Sequence, residues 1–598
     1  MKKNRLFVLM FLVCGLLTVL FARSLQTEVE EEKMYWGSDV PKGWNGDWPA
    51  EFRTVPEKTD FARTTSSIEI LEFFNVLRWN SENVGLINMF TTSRGKAGTA
   101  IVMANPRVNS PEEAKATGKP VIYLQGNIHG GGESENKEGI LMLMRDILLG
   151  KKKYLLDDLI IICAPSINPD GTDSLRIQDP GSPQLGGTGR NAQGLNLNRD
   201  AIKLESVELN GLYRTIFNRW DPVLIYDGHG YSGWYEYAIV YTTSTVPAAH
   251  PGPRSYVWDK LFPAIRETTR KNFGLSVFTH CDVTPTYAGQ WYNFKEGEVP
   301  TVYSLENAIW TTEAKFVAAA YGLRSRMSIL AETGCAAGNP SYERRIYVHY
   351  ALMSEILDYS AKHGREMVKI CRDADRDVVN KVLTEAESGR LKNFLAGEYE
   401  SYGKIDVPAY SRKHSERRYI PGTSVRTWGQ PGPVGPPDLV YKDLDYLAKP
   451  VGTREATVPR GYLIPADMGF IAEKLRTHNV KVDVLDKPVK ATGEEFVIDM
   501  LAKAPTPLYG TGGIRQAVRE PTMELTGRFR KSSSKEFPAG TFRVDLAQPA
   551  ANTAFYCLEP QAADGFVGSG VLTDYLVSLG VGKPGVVYPI YKYFKILE

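Results

Sequence analysis

Four short apolar runs punctuate the first half of the chain: Val121–Leu124, Leu159–Cys163, Val223–Tyr226 and Ser328–Ala331. Each is too short to be a helix with a buried face, and each is bounded by turn-forming residues. They read as buried strands. Longer stretches with helical spacing lie between them, among them Gly139–Leu149 and Lys203–Phe217. Strands that are apolar throughout, rather than alternating, and that are separated by helices predict an α/β domain with a mostly parallel sheet over residues 55–370. Residues 343–375 carry Ile346, Ala351, Ile356 and Leu357 at near-helical spacing, which predicts a helix there. Residues 420–437 are dense in Pro and Gly, so helix and regular strand are both disfavoured. The stretch 371–449 is therefore read as a helical segment followed by a linker. Beyond it, 450–598 reads as a smaller β-rich domain of unassigned role, with Val480–Leu485 and Thr541–Leu546 as strands. No internal repeat is seen.

A chain of 598 residues is too long for one compact core and is expected to form two to four domains. The formal net charge of +2 gives no global field toward nucleic acid or an anionic membrane, and no nucleic-acid partner is expected. Lys2, Lys3 and Arg5 precede an unbroken apolar run from Leu6 to Ala22, followed by Arg23 and Ser24. That pattern predicts a secretory signal over residues 1–24 and a secreted or periplasmic protein; an uncleaved membrane anchor is the alternative. Cys14 follows Val13, which argues against lipidation. The other five cysteines (Cys163, Cys281, Cys335, Cys371 and Cys557) are scattered and odd in number, so they are no disulfide scaffold. No CxxC pair suggests a zinc finger, and Cys163 reads as a small buried hydrophobe.

Each of the four strands ends in a polar cluster. The first is followed by Gln125, His129, three glycines and Glu133; the second by Asn168-Pro-Asp-Gly171; the third by Asp227 and His229; the fourth by Glu332 and Thr333. Ligands of open α/β sheets bind outside the carboxyl ends of the strands, so two histidines and two glutamates can meet in one crevice. Imidazole and carboxylate suit zinc, and three protein ligands leave a fourth position for water. Taken singly, a histidine after a strand is more often a hydrogen-bonded structural residue, and Glu332 alone could pair with Arg324 or Arg326. The combination and its order carry the reading.

Taken in order, His129…Glu133, Asn168-Pro-Asp-Gly171, Gly194-Leu-Asn-Leu-Asn-Arg199-Asp, His229 and Leu330-Ala-Glu332-Thr resemble the zinc metallocarboxypeptidases. The resemblance runs from about residue 60 to 365. Asn198–Glu205, Tyr321–Arg326, Phe542–Gln548 and Leu558-Glu-Pro560 are closer still to a secreted bacterial branch with an extra C-terminal domain. It implies a mixed, mostly parallel sheet with helices on both faces. It also implies one Zn2+ per chain on His129, Glu133 and His229, and peptide or protein C-termini as substrates. Glu332 would act as general base on a zinc-activated water, and Asn198 and Arg199 would grip the substrate carboxylate, for which a guanidinium fork is well matched. A second arginine would polarise the scissile carbonyl; Arg176 is favoured for this, with Arg190 in the same interval left to substrate binding. A mobile tyrosine near the substrate carboxylate would be Tyr303 or Tyr321.

The chain departs from the family pattern twice. Three residues rather than two separate the first His from Glu133, so Glu135 or Glu138 remains an alternative ligand. Asn196 stands where the family usually has an aspartate that orients a zinc histidine, which predicts weaker zinc binding. Two other readings stand beside this one, the second of them motivated by these departures. One keeps the zinc chemistry but acts on a cell-wall peptide or acyl-amide; the other is a non-catalytic binding protein with a decayed site.

Overall fold

A computed structural model describes residues 39–597 apart from 132, 175, 178–184, 187–188, 232–237, 280–311, 335–340, 410–435, 437–438, 504–522 and 584. The signal segment 1–24, Cys281, Cys335, Tyr303 and nearly all of the Pro/Gly-rich stretch 420–437 lie outside the described residues.

In chain order the first ten strands are β1 (Val84–Thr91), β2 (Ala97–Met103), β3 (Val121–Gln125), β4 (Ile160–Ala164), β5 (Arg176–Ile177), β6 (Leu185–Gly186), β7 (Leu224–Tyr231), β8 (Ile239–Thr242), β9 (Val277–Thr279) and β10 (Met327–Gly334). Eight of them form one mixed sheet in the order β1-β2-β4-β3-β7-β10-β8-β9. Its centre is parallel, through the pairs β3/β4, β3/β7 and β7/β10. The edge hairpin β1/β2 runs antiparallel, as does the β8/β10 pair. All four apolar runs are central strands, which is why they do not alternate: both faces are covered.

The two faces separate residue by residue. Ile122, Leu124, Leu224, Tyr226, Ile329 and Ala331 pack toward helices Glu135–Leu148 and Tyr342–Glu385. Tyr123, Ile160, Ile162 and Ile225 pack on the other side, with Leu209, Leu212 and Val317 from helices Val207–Leu212 and Val317–Gly322. Helix Glu135–Leu148 is buried along its whole length. The expected helix over 203–217 starts only at Val207, because Asp200 holds the Ser206 N–H and hydroxyl (2.9 and 2.6 Å) and Ser206 caps the helix.

The helix expected over 343–375 extends from Tyr342 to Glu385, so residue 370 falls inside a continuous element. It is followed by a long antiparallel ribbon of β11 (Lys392–Ala409) and β12 (Leu439–Thr457). The C-terminal sheet contains β13 (Gly461–Ile464), β14 (Asp483–Val484), β15 (Val489–Lys503), β16 (Met523–Phe537), β17 (Phe542–Asp545) and β18 (Tyr591–Leu597). Its order is β14-β17-β13-β18-β15-β16, antiparallel throughout. Helices Gly469–Thr477 and Ala551–Leu558 accompany it. Buried residues of this part, among them Tyr462, Phe555 and Phe566, share one apolar core with the outer face of the first sheet. Among the described residues no helix is long and apolar enough to cross a membrane.

Candidate metal centre

The loop after β3 is tied down before it delivers its ligands. Asn127 takes a left-handed backbone conformation (φ 56°), which an asparagine tolerates better than most side chains. Its amide nitrogen donates to the carbonyls of Gly130 (3.0 Å) and Glu133 (3.1 Å). Its amide oxygen accepts from Ser166 (3.2 Å) and from Thr172. Gly130 sits against the Gly171–Thr172 backbone, where an added Cβ would lie 2.4 Å from the Thr172 nitrogen, so no side chain fits. The Asn168-Pro-Asp-Gly turn is thus the floor on which the His129 loop rests.

Held this way, His129, Glu133 and His229 converge, with all candidate ligand atoms within 4.8 Å of one another. Glu133 lies between the two rings: Oε1 is 2.6 Å from His129 Nδ1 and Oε2 is 2.8 Å from His229 Nδ1. The same nitrogen of each imidazole therefore faces the centre. The opposite nitrogens face oxygens. His129 Nε2 donates to Asn196 Oδ1 at 3.1 Å, and His229 Nε2 lies 3.2 Å from Asp227 Oδ2. For His129 the Asn196 acceptor on Nε2 keeps the proton there and leaves Nδ1 free to bind a metal, while His229 Nε2 is flanked by both Asp227 and the Asn198 amide. Two imidazoles, each with an oxygen near its far nitrogen, and one carboxylate fit a catalytic zinc with an open position. Burial opposes ionisation of Glu133, but the two imidazoles outweigh it and hold the carboxyl down to about 2. Burial likewise disfavours the charged form of His229, yet Asp227 and Glu133 raise its pKa well above the usual histidine range.

The alternative glutamates are committed elsewhere. Glu135 is buried under the site, accepting from Thr333 (3.2 Å) and contacting Arg345 (3.4 Å). Glu138 accepts from the Thr65 N–H (2.7 Å) and the hydroxyls of Thr64 and Thr65. The extra glycine is absorbed by the loop, and Glu133 is the glutamate that reaches both histidines.

Glu332 is partly exposed on β10, and its Cα pairs in parallel register with that of His229 on β7. Register partners on neighbouring strands point to the same face, about 4.8 Å apart. The candidate base thus stands beside the metal cluster. Arg199 is also close by: its guanidinium lies 4.4 Å over the Phe316 ring and donates to the Asn198 carbonyl (2.8 Å).

Two expectations are corrected. Tyr321 is not a mobile substrate-binding residue. It is completely buried, its ring packs on Phe217 (4.6 Å between centroids), and its hydroxyl donates to the Pro222 carbonyl at 2.6 Å. Asn198 does not present its amide to substrate. It is 3% exposed; its oxygen accepts the Val317 N–H (3.1 Å) and its nitrogen lies 3.2 Å from His229 Nε2. It is a bracket behind the histidine. Arg190 donates to the Gly194 carbonyl (2.7 Å) and braces the turn that leads to Asn196. Arg176 lies on β5, paired with Gly186 of β6; its side chain is outside the described part. Asp227 and Asn127 were missed as site residues. Asp227 had a signal, two places before His229 and hence on the same strand face; Asn127 had none.

The neutral Asn196 yields one expected outcome. Asn196→Asp should tighten zinc on the order of 10-fold, since a carboxylate behind the imidazole raises its basicity. Competition with a chromogenic chelator measures this, and unchanged affinity would remove the idea.

Residues 80–205 match the zinc carboxypeptidase family model, a span that contains His129, Glu133, Asn196, Asn198 and Arg199. No curated protein matches the chain. Among solved structures, it is similar to a metallo-carboxypeptidase from Burkholderia cenocepacia, at 16% identity and TM-score 0.34, over 50% of this chain and 70% of that one. A metallo-carboxypeptidase from Pseudomonas aeruginosa, in complex with (2-guanidinoethylmercapto)succinic acid, is similar at 15% identity and TM-score 0.32, over 51% and 70%. Carboxypeptidase A from Helicoverpa armigera is similar at 12% identity and TM-score 0.34, over 50% and 75%.

Proposed function

We propose that this protein is a zinc-dependent metallocarboxypeptidase that removes C-terminal residues from peptides. The observation that carries the reading is the convergence of His129, Glu133 and His229 with Glu332 in register on the adjacent strand. Zinc, when bound by these three residues, lowers the pKa of a coordinated water toward neutrality and polarises a carbonyl. The Glu332 carboxylate takes a proton from the attacking water and returns it to the leaving amine. Arg199 receives the terminal carboxylate of the substrate, the bidentate partner its fork is shaped for. Arg176 stabilises the developing oxyanion. Asn196 and Asp227 keep the two imidazoles turned toward the centre. Residues 1–24 act as a secretory signal, which places the enzyme outside the cytoplasm.

Purified protein should contain one zinc and release the last residue of blocked peptides, with activity lost to a chelator and restored by zinc. Amidating the substrate C-terminus removes the anion that Arg199 binds. A charge-assisted hydrogen bond contributes about 1.5–3 kcal/mol, so the rate constant kcat/KM should fall roughly 10- to 150-fold. Equal cleavage of free and amidated peptides would sink the carboxypeptidase assignment and favour an amide or cell-wall substrate for the same centre.

A further inference from the structure

The turn that carries Asn198 and Arg199 rests on the C-terminal sheet and its helices. We propose that Asp564 is a positioning residue for the substrate-carboxylate turn, so that the C-terminal part completes the active site instead of being an appendage to it. The proposal rests on the carboxypeptidase reading for what the turn binds.

The chain of contacts is short. Asp564 is buried (1% exposed) within the loop that joins helix Ala551–Leu558 to helix Thr573–Ser578. Its Oδ1 accepts the Ala314 N–H (3.1 Å) and its Oδ2 accepts the Lys315 N–H (2.5 Å). The Tyr556 hydroxyl donates to Oδ1 at 2.5 Å and fixes the carboxylate from its own side. Two adjacent backbone donors on one carboxylate set the path of residues 314–317. That path is what the turn touches. The Lys315 carbonyl accepts the Ala201 N–H (3.2 Å), the Phe316 ring lies under the Arg199 guanidinium, and the Val317 N–H holds Asn198 Oδ1 (3.1 Å). Asp564 is therefore two hydrogen bonds from Asn198, whose amide nitrogen lies 3.2 Å from His229 Nε2.

A second set of contacts grips the same turn from its far end. His478, at the end of helix Gly469–Thr477, donates through Nε2 to the Ile202 carbonyl (2.9 Å), and Lys474 donates to the Lys203 carbonyl. Burial lowers the His478 pKa to about 4, so it is neutral at ordinary pH and a single donor is what it offers. The C-terminal part thus contacts the turn directly at 202–203 and indirectly through 314–317. A carboxylate-binding arginine misplaced by about 1 Å loses much of its advantage, which gives these remote contacts a catalytic consequence.

The test uses full-length protein, wild type beside Asp564→Asn, which keeps the shape but turns one acceptor into a donor facing a backbone N–H. Hydrogen–deuterium exchange is followed at residues 196–204 and 314–319, with β4 as internal control, together with KM, kcat and zinc content on a peptide with a free C-terminus. The expected result is exchange about ten-fold faster in both segments, β4 unchanged, one zinc retained, and KM raised on the order of ten-fold with kcat nearly constant. Unchanged exchange at 196–204, or acceleration spread equally over β4, would overturn the proposal, as would a loss in kcat alone. If wild type cleaves no peptide, the carboxypeptidase reading falls while the exchange arm still decides whether Asp564 holds the turn. Should Asp564→Asn fail to fold, Tyr556→Phe removes only the hydroxyl that fixes Asp564, and the same two segments must respond, more weakly.

Discussion

Glu332→Gln is expected to lower kcat by roughly 10²- to 10⁴-fold, the usual contribution of a positioned general base. The substitution keeps size and hydrogen bonding but removes the proton acceptor. Glu332 stands outside the His129–Glu133–His229 cluster, so zinc content should stay at one per chain and KM should change little. That combination separates a lost base from a lost metal. Glu332 also sits on a central strand, paired on one side with His229 of β7 and on the other with Val240 of β8, so its backbone is fixed whichever side chain it carries. A kcat within about ten-fold of wild type would place the base elsewhere. Activity lost together with zinc would instead mean that Glu332 supports the metal.

The parts of this site that were legible in the sequence share one property: they sit at the ends of strands buried on both faces. Val121–Leu124 and Val223–Tyr226 are continuous apolar runs, so the polar residues following them mark the edge of the sheet without ambiguity. His129, His229 and Glu332 follow from that edge. What the sequence hid is the identity of neighbours across long separations. Tyr321 and Asn198 stand beside site residues in the chain, yet their polar atoms are used up by Pro222 and Val317. A motif records which residues are present, and only packing decides which of their atoms are free. The ribbon β11/β12 was hidden for another reason. Its outer stretches are exposed, so no period-two pattern of apolar residues was required to build it. The extent of the 342–385 helix was partly hidden because its second half is amphipathic and polar on one side, with Met367, Cys371, Ala374, Val378 and Val382 as its thin buried stripe.

The largest expected effect on stability lies in the C-terminal sheet. Lys592 on β18 is 2% exposed; its ammonium is 2.8 Å from Glu559 Oε1, donates to the Thr457 carbonyl (3.1 Å) and lies 4.0 Å from the Phe529 ring centroid. Glu559 is fully buried and also accepts from the Tyr462 hydroxyl at 2.6 Å. Removing one partner of a buried pair strands the other, which costs about 3–5 kcal/mol. Lys592→Met is therefore expected to lower the unfolding free energy read from urea titration by that amount, and adding Glu559→Gln should recover much of it. The sign of the pH dependence is fixed by the same pair. Burial raises the Glu559 pKa, and Lys592 is the main group opposing that rise. Without Lys592 the folded state holds the Glu559 proton more tightly than the unfolded state does. The deficit of Lys592→Met should then shrink as pH falls toward the carboxylate range and grow as pH rises. A loss below about 1 kcal/mol, or a deficit that does not vary with pH, would mean that the pair is not the uncompensated charge described here. Glu559 precedes Asp564 in the same loop, so the two effects are linked: a protein that loses this pair should also loosen the 314–317 segment, and its KM should rise before its sheet unfolds.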